Sequence, residues 1–149
     1  MTKLNVAQLV DDANDALGHV TYQWGGKPSP LIPPEHLTGC DCSGFVRYLL
    51  LRNSNAEIPD GSANQHEWAA AHCKPIANYQ DLRYTVHDAG RLFIAFEYPP
   101  RPIGHVWLVC SGHAIECHGP GGHVMRNWRL WNDAILSRIE TGCFELPAC

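Results

Sequence analysis

The segment from Asp41 to Phe45, DCSGF, contains the side chain best suited to nucleophilic chemistry, the thiol of Cys42. The apolar spacing that follows predicts a buried helix that begins at this cysteine. The unpaired N–H groups and the dipole at a helix start favour thiolate over thiol, and the thiolate is the nucleophilic form. Gly44 is expected to let a substrate backbone approach closely. The alternative is a structural cysteine that fills space in the core, as most free cysteines do.

A cysteine nucleophile needs a general base, and a predicted β-hairpin supplies one. The runs HVWLVC and HAIECHG have the composition of strands, and Ser111-Gly112 between them fits a two-residue turn. This register places His105 opposite His118 and diagonal to Glu116, with all three side chains on one face. An imidazole that takes the thiol proton, with a polar neighbour that orients it, forms a Cys/His catalytic arrangement. Alternatively, the three side chains lie on a solvated sheet face.

The opposite face of the hairpin is apolar and is expected to pack in the core. Its residues are Val106, Leu108, Ile115 and Cys117. The chain has 7 cysteines, an odd number, so complete pairing within the chain is excluded, while reduced and partly paired states both stay open. The hairpin register separates Cys110 from Cys117 by too great a distance for a disulfide. Cys143 and Cys149 are near enough in sequence to pair.

The remaining sequence predicts helices followed by strands, and hence an α+β fold with helices against one face of an antiparallel sheet. An amphipathic N-terminal helix ends near Gly18, and Asp11, Asp12 and Asp15 are expected on its solvated face. The helix that begins at Cys42 and a shorter helix in ANQHEWAAAHC come next. Strands are predicted in RLFIAFEYPP, HVWLVC, HAIECHG and VMRNWRLW.

The composition excludes several classes of function. The 11 basic and 15 acidic residues give a net charge of −4, which disfavours nucleic acid as the main partner. No apolar run approaches the ~20 residues of a membrane span, so membrane insertion is not expected. The N-terminal sequence MTKLNVAQLVDDANDALG lacks the pattern of a signal peptide, so synthesis in the cytoplasm is expected.

Four motifs that follow one another in the chain, TYQWGG, DCSGFV, GHVWLV and AIECHG, resemble the NlpC family of cell-wall cysteine peptidases in the papain-like superfamily. The resemblance covers roughly residues 20–125. It implies a papain-like NlpC-type fold in which N-terminal helices pack on a central antiparallel sheet. One catalytic domain over residues 1–149 is expected, with no separate wall-binding domain. The implied chemistry needs no metal and no cofactor.

The resemblance also implies roles for individual residues. Cys42 matches the nucleophile and His105 the base, while Glu116 matches a third catalytic residue that is usually His and sometimes Asn, Gln or Glu. The spacing from His105 to Glu116 is one residue shorter than usual, which the tight Ser-Gly turn absorbs, and His118 is the alternative. A tyrosine is expected to line the site, and polar residues hold the substrate's amine end in some members. The implied substrate-binding residues are Tyr22, Asp41, Ser43 and His118.

Members of this family hydrolyse peptide bonds in bacterial peptidoglycan, commonly between D-glutamate and diaminopimelate. The chain is similar to single-domain phage endolysins and to amidase effectors delivered by type VI secretion, which both lack a conventional signal peptide. We therefore expect a monomer that acts on peptidoglycan peptides at the cell wall or in the periplasm after non-classical delivery. An immunity protein and the secretion machinery stay open as partners.

Other functions stay open as well. Related papain-like folds include N-acetylmuramoyl-L-alanine amidases and acyltransferases that act on lipids. A zinc-binding protein is a further alternative, with four candidate ligands close in sequence, although the chain has no CxxC pair. Those ligands are His113, Cys117, His118 and His123. A non-catalytic binding module is disfavoured because Cys42 and His105 are both present.

Overall fold

The computed structural model describes residues 4–76, 90–97, 104–111, 113–117, 124–127 and 142–147. The helices within these ranges are α1 (Val6–Asp15), α2 (Cys42–Asn53) and α3 (Ser62–His72), and a 3-10 turn lies at Pro34–His36. Two short strands, β1 (Thr21–Tyr22) and β2 (Gly39–Cys40), form a parallel pair. No helix in the described ranges is long and apolar enough to cross a lipid bilayer.

The main sheet has six strands in the order β3-β8-β4-β5-β6-β7, and each neighbouring pair is antiparallel. Its strands are β3 (Lys74–Pro75), β4 (Leu92–Glu97), β5 (His105–Cys110), β6 (His113–Cys117), β7 (Val124–Asn127) and β8 (Cys143–Glu145). Helices that precede an antiparallel sheet confirm the predicted α+β class. Helix α2 lies against β5 and β6 at the centre of the sheet, where it can bring its first residue to the strand ends.

Helix α1 starts where the side chain of Asn5 accepts a hydrogen bond from the backbone N–H of Gln8 at 3.0 Å, which satisfies an otherwise unpaired donor. The chain leaves the helix before Gly18, whose φ of +84° suits glycine. The solvated face predicted for this helix is wrong at Asp12, which is 4% exposed. Its carboxylate accepts hydrogen bonds from Arg52 at 3.0 Å and Asn53 at 2.9 Å, so it ties α1 to the end of α2.

Strands β5 and β6 pair in the register predicted from the Ser111-Gly112 turn. Leu108 lies opposite Ile115, and Cys110 lies opposite His113. Ser111 has a φ of +50°, the sign that the first central residue of a type I′ turn requires. Because side chains alternate along a strand, this register decides which residues share a face with His105.

Both faces of the sheet carry buried side chains in its central strands β4, β5 and β6. One face belongs to the hydrophobic core and includes all four residues predicted to lie there, Val106, Leu108, Ile115 and Cys117. The other face carries Phe93 at 0%, Trp107 at 2% and Glu116 at 1% exposure. The alternative of a solvated sheet face is therefore wrong, and Glu116 is a buried carboxyl group that requires a partner.

Candidate active site

Cys42 is the first residue of α2 and is 9% exposed. The side chain of Asp41 caps the helix by accepting hydrogen bonds from the Gly44 backbone N–H at 2.6 Å and from the Ser43 hydroxyl at 3.2 Å. The carbonyl of Asp41 accepts the N–H of Phe45 at 3.0 Å. These bonds fix the first turn of α2 and with it the position of the Cys42 thiol.

The loop before the helix packs tightly against this first turn. The carbonyl of Gly26 accepts the backbone N–H of Asp41 at 3.1 Å. A Cβ atom on Gly44 would lie 2.1 Å from that same carbonyl oxygen. Gly44 is therefore needed for contact between the loop and the helix, and the expectation that it leaves room for a substrate backbone is wrong.

The N–H groups of Cys42 and Ser43 point out of the helix start. They come before the first residue that can bond within the helix, and they have no hydrogen-bond partner in the described ranges. Two neighbouring N–H donors beside a nucleophilic sulfur can stabilise an oxyanion.

Gln65 of α3 supports the same turn, a role that no pattern in the sequence indicates. Its side-chain nitrogen donates to the carbonyl of Ser43 and to that of Pro59, at 2.9 Å in each case. Gln65 is 0% exposed, so these bonds lie out of water. The contact couples α3 to the residue that follows the nucleophile.

His105, the first residue of β5, brings a base to this sulfur. Its imidazole hydrogen-bonds to the Cys42 thiol, and its Nε2 lies 2.9 Å from Oε2 of Glu116. An ionised carboxylate can only accept, so Nε2 carries a proton and Nδ1 is left to receive the thiol proton. Burial lowers the pKa of His105, but the bonds to Cys42 and Glu116 and their charges outweigh it and raise that pKa to about 9.

The structure thus joins Cys42, His105 and Glu116 in one hydrogen-bonded chain. Glu116 reaches the imidazole from the neighbouring strand, in the position that the hairpin register predicts. The alternative third residue, His118, lies outside the described residues, and so does its predicted contact with substrate.

Trp107 forms a further contact with the imidazole that was not predicted. The two rings stack with their centroids 5.3 Å apart and their planes 26° apart. Trp107 is 2% exposed, and its ring nitrogen has no hydrogen-bond partner in the described ranges. Alternation along β5 predicts that the indole lies on the same face as His105, but the stacking depends on rotamers that the sequence does not reveal.

Tyr22 lies in β1, which pairs with β2 just before the nucleophile. Burial raises the pKa of its phenol, and negative charge on Cys42 and Asp41 adds to this effect. The phenol of Tyr22 is therefore close enough to the Cys42 sulfur for an electrostatic interaction between them. Asp41 and Ser43 flank the sulfur in the chain, and the second carboxylate oxygen of Asp41 accepts no hydrogen bond from the described residues.

The zinc alternative gains no support from the described residues, among which no three His, Cys, Asp or Glu side chains form a group that could hold a metal. His118 and His123 lie outside those residues. Cys117 uses its thiol to donate a hydrogen bond to the carbonyl of Cys40 at 3.2 Å. Cys149 also lies outside, so its pairing with Cys143 stays a prediction.

Comparison with known proteins finds one protein family whose model matches part of the chain. The model of the NlpC/P60 family matches residues 19–90, which include Tyr22 and the nucleophile segment. His105 and Glu116 lie beyond the match, so their place in the site depends on the geometry above. No curated protein matches the chain. The match and the helices that precede an antiparallel sheet agree with the NlpC-type resemblance. Over residues 19–90 the chain is similar to the NlpC/P60 family, which consists generally of peptidoglycan-hydrolysing cysteine peptidases and amidases.

Proposed function

We propose that this protein is a cysteine endopeptidase that cleaves the γ-D-glutamyl-diaminopimelate bond of peptidoglycan stem peptides. The observation that carries the proposal is the hydrogen-bonded chain of Cys42, His105 and Glu116 at the start of α2. A buried thiol beside a carboxylate-bound imidazole is suited to acyl transfer. The substrate lies outside the cytoplasmic membrane, so we place the site of action at the cell wall.

The first half of the reaction forms an acyl-enzyme. Nδ1 of His105 takes the proton of Cys42, and the sulfur attacks the γ-carbonyl carbon of D-glutamate. The N–H groups of Cys42 and Ser43 hold the oxyanion, and one such donor contributes about 2.7–4 kcal/mol. The imidazolium then gives its proton to the leaving amine of diaminopimelate, and the C–N bond breaks.

The second half restores the enzyme. His105 removes a proton from water, and the hydroxide attacks the thioester carbonyl. The C–S bond breaks, the sulfur recovers its proton through the imidazole, and a new carboxylate leaves. Throughout both halves, Glu116 keeps Nε2 protonated and compensates the positive ring.

The carboxylate of Asp41 is evidence for a substrate that has a positively charged amine near the scissile bond. One of its oxygens is occupied by the helix cap, and the other has no partner among the described residues. A carboxylate in this place attracts the α-amine of the stem peptide's first residue, with Ser43 and Tyr22 beside it. This arrangement favours a peptidase that recognises the amine end over an amidase that cuts the glycan–peptide link.

The test is digestion of purified sacculi, followed by mass spectrometry of the released fragments. We expect fragments that end in γ-D-glutamate and fragments with a new diaminopimelate amine, and we expect none from Cys42→Ala. Cys73→Ala is the matched control, since Cys73 is also a buried free thiol but takes no part in the site. Fragments that end at the muramic acid lactyl group would instead identify an amidase. If Cys42→Ala releases fragments at the same rate as the wild type, the assignment of Cys42 as the nucleophile is wrong.

A further inference from the structure

Cys40 and Cys117 are two buried thiols in direct contact at the start of α2. The thiol of Cys117 donates to the carbonyl of Cys40 at 3.2 Å, and the same thiol raises the pKa of Cys40. Both residues are 0% exposed. Cys40 ends β2 and Cys117 ends β6, so this contact joins segments that lie 77 residues apart in the chain.

The pair is adjacent to the catalytic residues but takes no part in their chemistry. Cys40 lies two residues before Cys42, and Cys117 directly follows Glu116. Because side chains alternate along β6, Cys117 faces the hydrophobic core while Glu116 faces His105. A bond between the two sulfurs would fasten the segment that presents the nucleophile to the strand that presents the carboxylate.

We propose that Cys40 and Cys117 are the site of a disulfide bond. The oxidant is a low-molecular-weight disulfide, such as oxidised glutathione. One cysteine thiolate attacks a sulfur of the oxidant and releases a thiol, and the second cysteine then displaces the remaining half of the oxidant. The two cysteines lose two protons and two electrons in total, and the oxidant is reduced to two thiols.

The contact favours this pairing over others. The Cys117 sulfur already contacts the Cys40 residue at 3.2 Å, and a disulfide between the two requires an S–S bond length of about 2.05 Å. The neighbouring Cys117 thiol and burial raise the pKa of Cys40 well above the ordinary range of a thiol, so the folded thiol is a poor nucleophile. The exchange therefore takes place during folding, before the pair is buried.

Cys73 and Cys143 provide a comparison within the same chain. Burial raises the pKa of Cys73 to about 11 and that of Cys143 to about 12, with no contribution from a second thiol. Both are free thiols, as Cys40 and Cys117 are. They are matched controls for the effect of removing a buried cysteine.

The cross-link would close a long loop, which restricts the unfolded chain more strongly than a short loop does. We therefore expect the linked protein to resist urea better than the reduced protein. The proposal depends on the proposed function only for the oxidising surroundings of an enzyme that acts at the cell wall.

The experiment refolds the full chain in oxidised and reduced glutathione, and in parallel in dithiothreitol. Free thiols are then capped, and the protein is digested without reduction for mass spectrometry. We expect a peptide that joins Cys40 to Cys117, about 2 Da lighter than the sum of its reduced parts. We also expect a higher urea midpoint in the glutathione sample than in the dithiothreitol sample.

Two double variants complete the test. In Cys40→Ser with Cys117→Ser, the urea midpoint should be the same in both buffers, whereas Cys73→Ser with Cys143→Ser should keep the difference seen in the wild type. Recovery of Cys40 as a capped thiol, or linked to Cys42, would overturn the proposal, and so would equal wild-type midpoints. Neither readout requires turnover, so failure here and failure of the proposed peptidase are separate results.

Discussion

Nε2 of His105 and Oε2 of Glu116 lie 2.9 Å apart across two neighbouring strands, with the carboxylate 1% exposed. A buried carboxylate this close compensates a positive imidazole, and it leaves Nδ1 as the nitrogen that faces the thiol. The direction of proton transfer in the site follows from this one contact.

We expect His105, whose pKa is raised to about 9, to set the alkaline limit of the proposed activity. The imidazolium protonates the leaving amine, so we expect kcat/KM for stem-peptide cleavage to fall as the pH rises through about 9. Glu116→Gln removes a negative charge that raises this pKa, so the alkaline limb should move to lower pH. Glu116→Ala should lose roughly 100-fold in kcat/KM, the scale of general acid–base catalysis.

Glu57→Gln is the control for these two variants, because Glu57 is an exposed carboxylate beyond the C-terminal end of α2, whereas the site lies at the start of that helix. Its pH profile should match the wild type. An unshifted alkaline limb in Glu116→Gln would show that Glu116 does not stabilise the imidazolium.

Trp107 is expected to stabilise the positive form of His105 through its stacked ring. A cation on a tryptophan face gains about 0.5–2 kcal/mol, so Trp107→Leu should move the alkaline limb down by roughly 0.4–1.5 pH units. Trp68→Leu is the matched control, since Trp68 stacks on His72 at 5.4 Å and 21° in α3. A purely structural role for Trp107 would lower activity equally at every pH and leave the limb in place.

Gly44 is expected to tolerate no side chain. In Gly44→Ala, the new Cβ would meet the carbonyl oxygen of Gly26 at 2.1 Å, and backbone cannot yield as a flexible side chain can. We expect a loss of roughly 1–3 kcal/mol in the free energy of unfolding, with a fall in kcat because the nucleophile's turn moves. Gly18→Ala has open space around it, so it should cost stability through its φ while kcat is retained.

The buried carboxylate of Asp12 is expected to stabilise the fold. Burial raises its pKa, but hydrogen bonds from Asn53, Arg52 and Gln8 outweigh this effect, and the net pKa is lowered from 3.8. A lowered pKa adds stability above pH 3.8, and this stability is lost as the pH falls through the lower value. Asp12→Asn should lose roughly 1.5–3 kcal/mol in urea unfolding at neutral pH.

Asp11→Asn is the control for that loss, because Asp11 is exposed on the same helix. Its free energy of unfolding should stay within about 0.5 kcal/mol of the wild type. An equal loss in the two variants would mean that the contacts between α1 and α2 do not depend on the Asp12 charge.

Local patterns predicted the parts of the site that depend on short-range geometry. The Ser111-Gly112 turn fixes the β5–β6 register, and strand alternation then places Glu116 on the His105 face. The apolar spacing after Cys42 predicts the helix start. Each of these features requires only neighbouring residues along the chain or across one turn.

Contacts between distant segments were not predictable in the same way. The sequence of α1 alone predicts that Asp12 lies on the surface. In the structure it is buried because Arg52 and Asn53 of α2 donate hydrogen bonds to its carboxylate. The Gln65 bond to Ser43 depends equally on how whole elements pack. The neighbours of Asp12 and Gln65 could not be predicted from the sequence, because they come from other elements and become adjacent only in the complete fold.

The central claim is that the sulfur of Cys42 is activated by His105, and the rate at which a haloacetamide alkylates each cysteine at neutral pH tests it most directly. We predict that Cys42 reacts before the other buried cysteines and that His105→Ala slows its reaction at least about tenfold, because the thiolate is the reactive form. Cleavage of stem peptides should stop when Cys42 is fully alkylated. If Cys42 reacts at the same rate in His105→Ala as in the wild type, the imidazole does not activate the sulfur and the account fails.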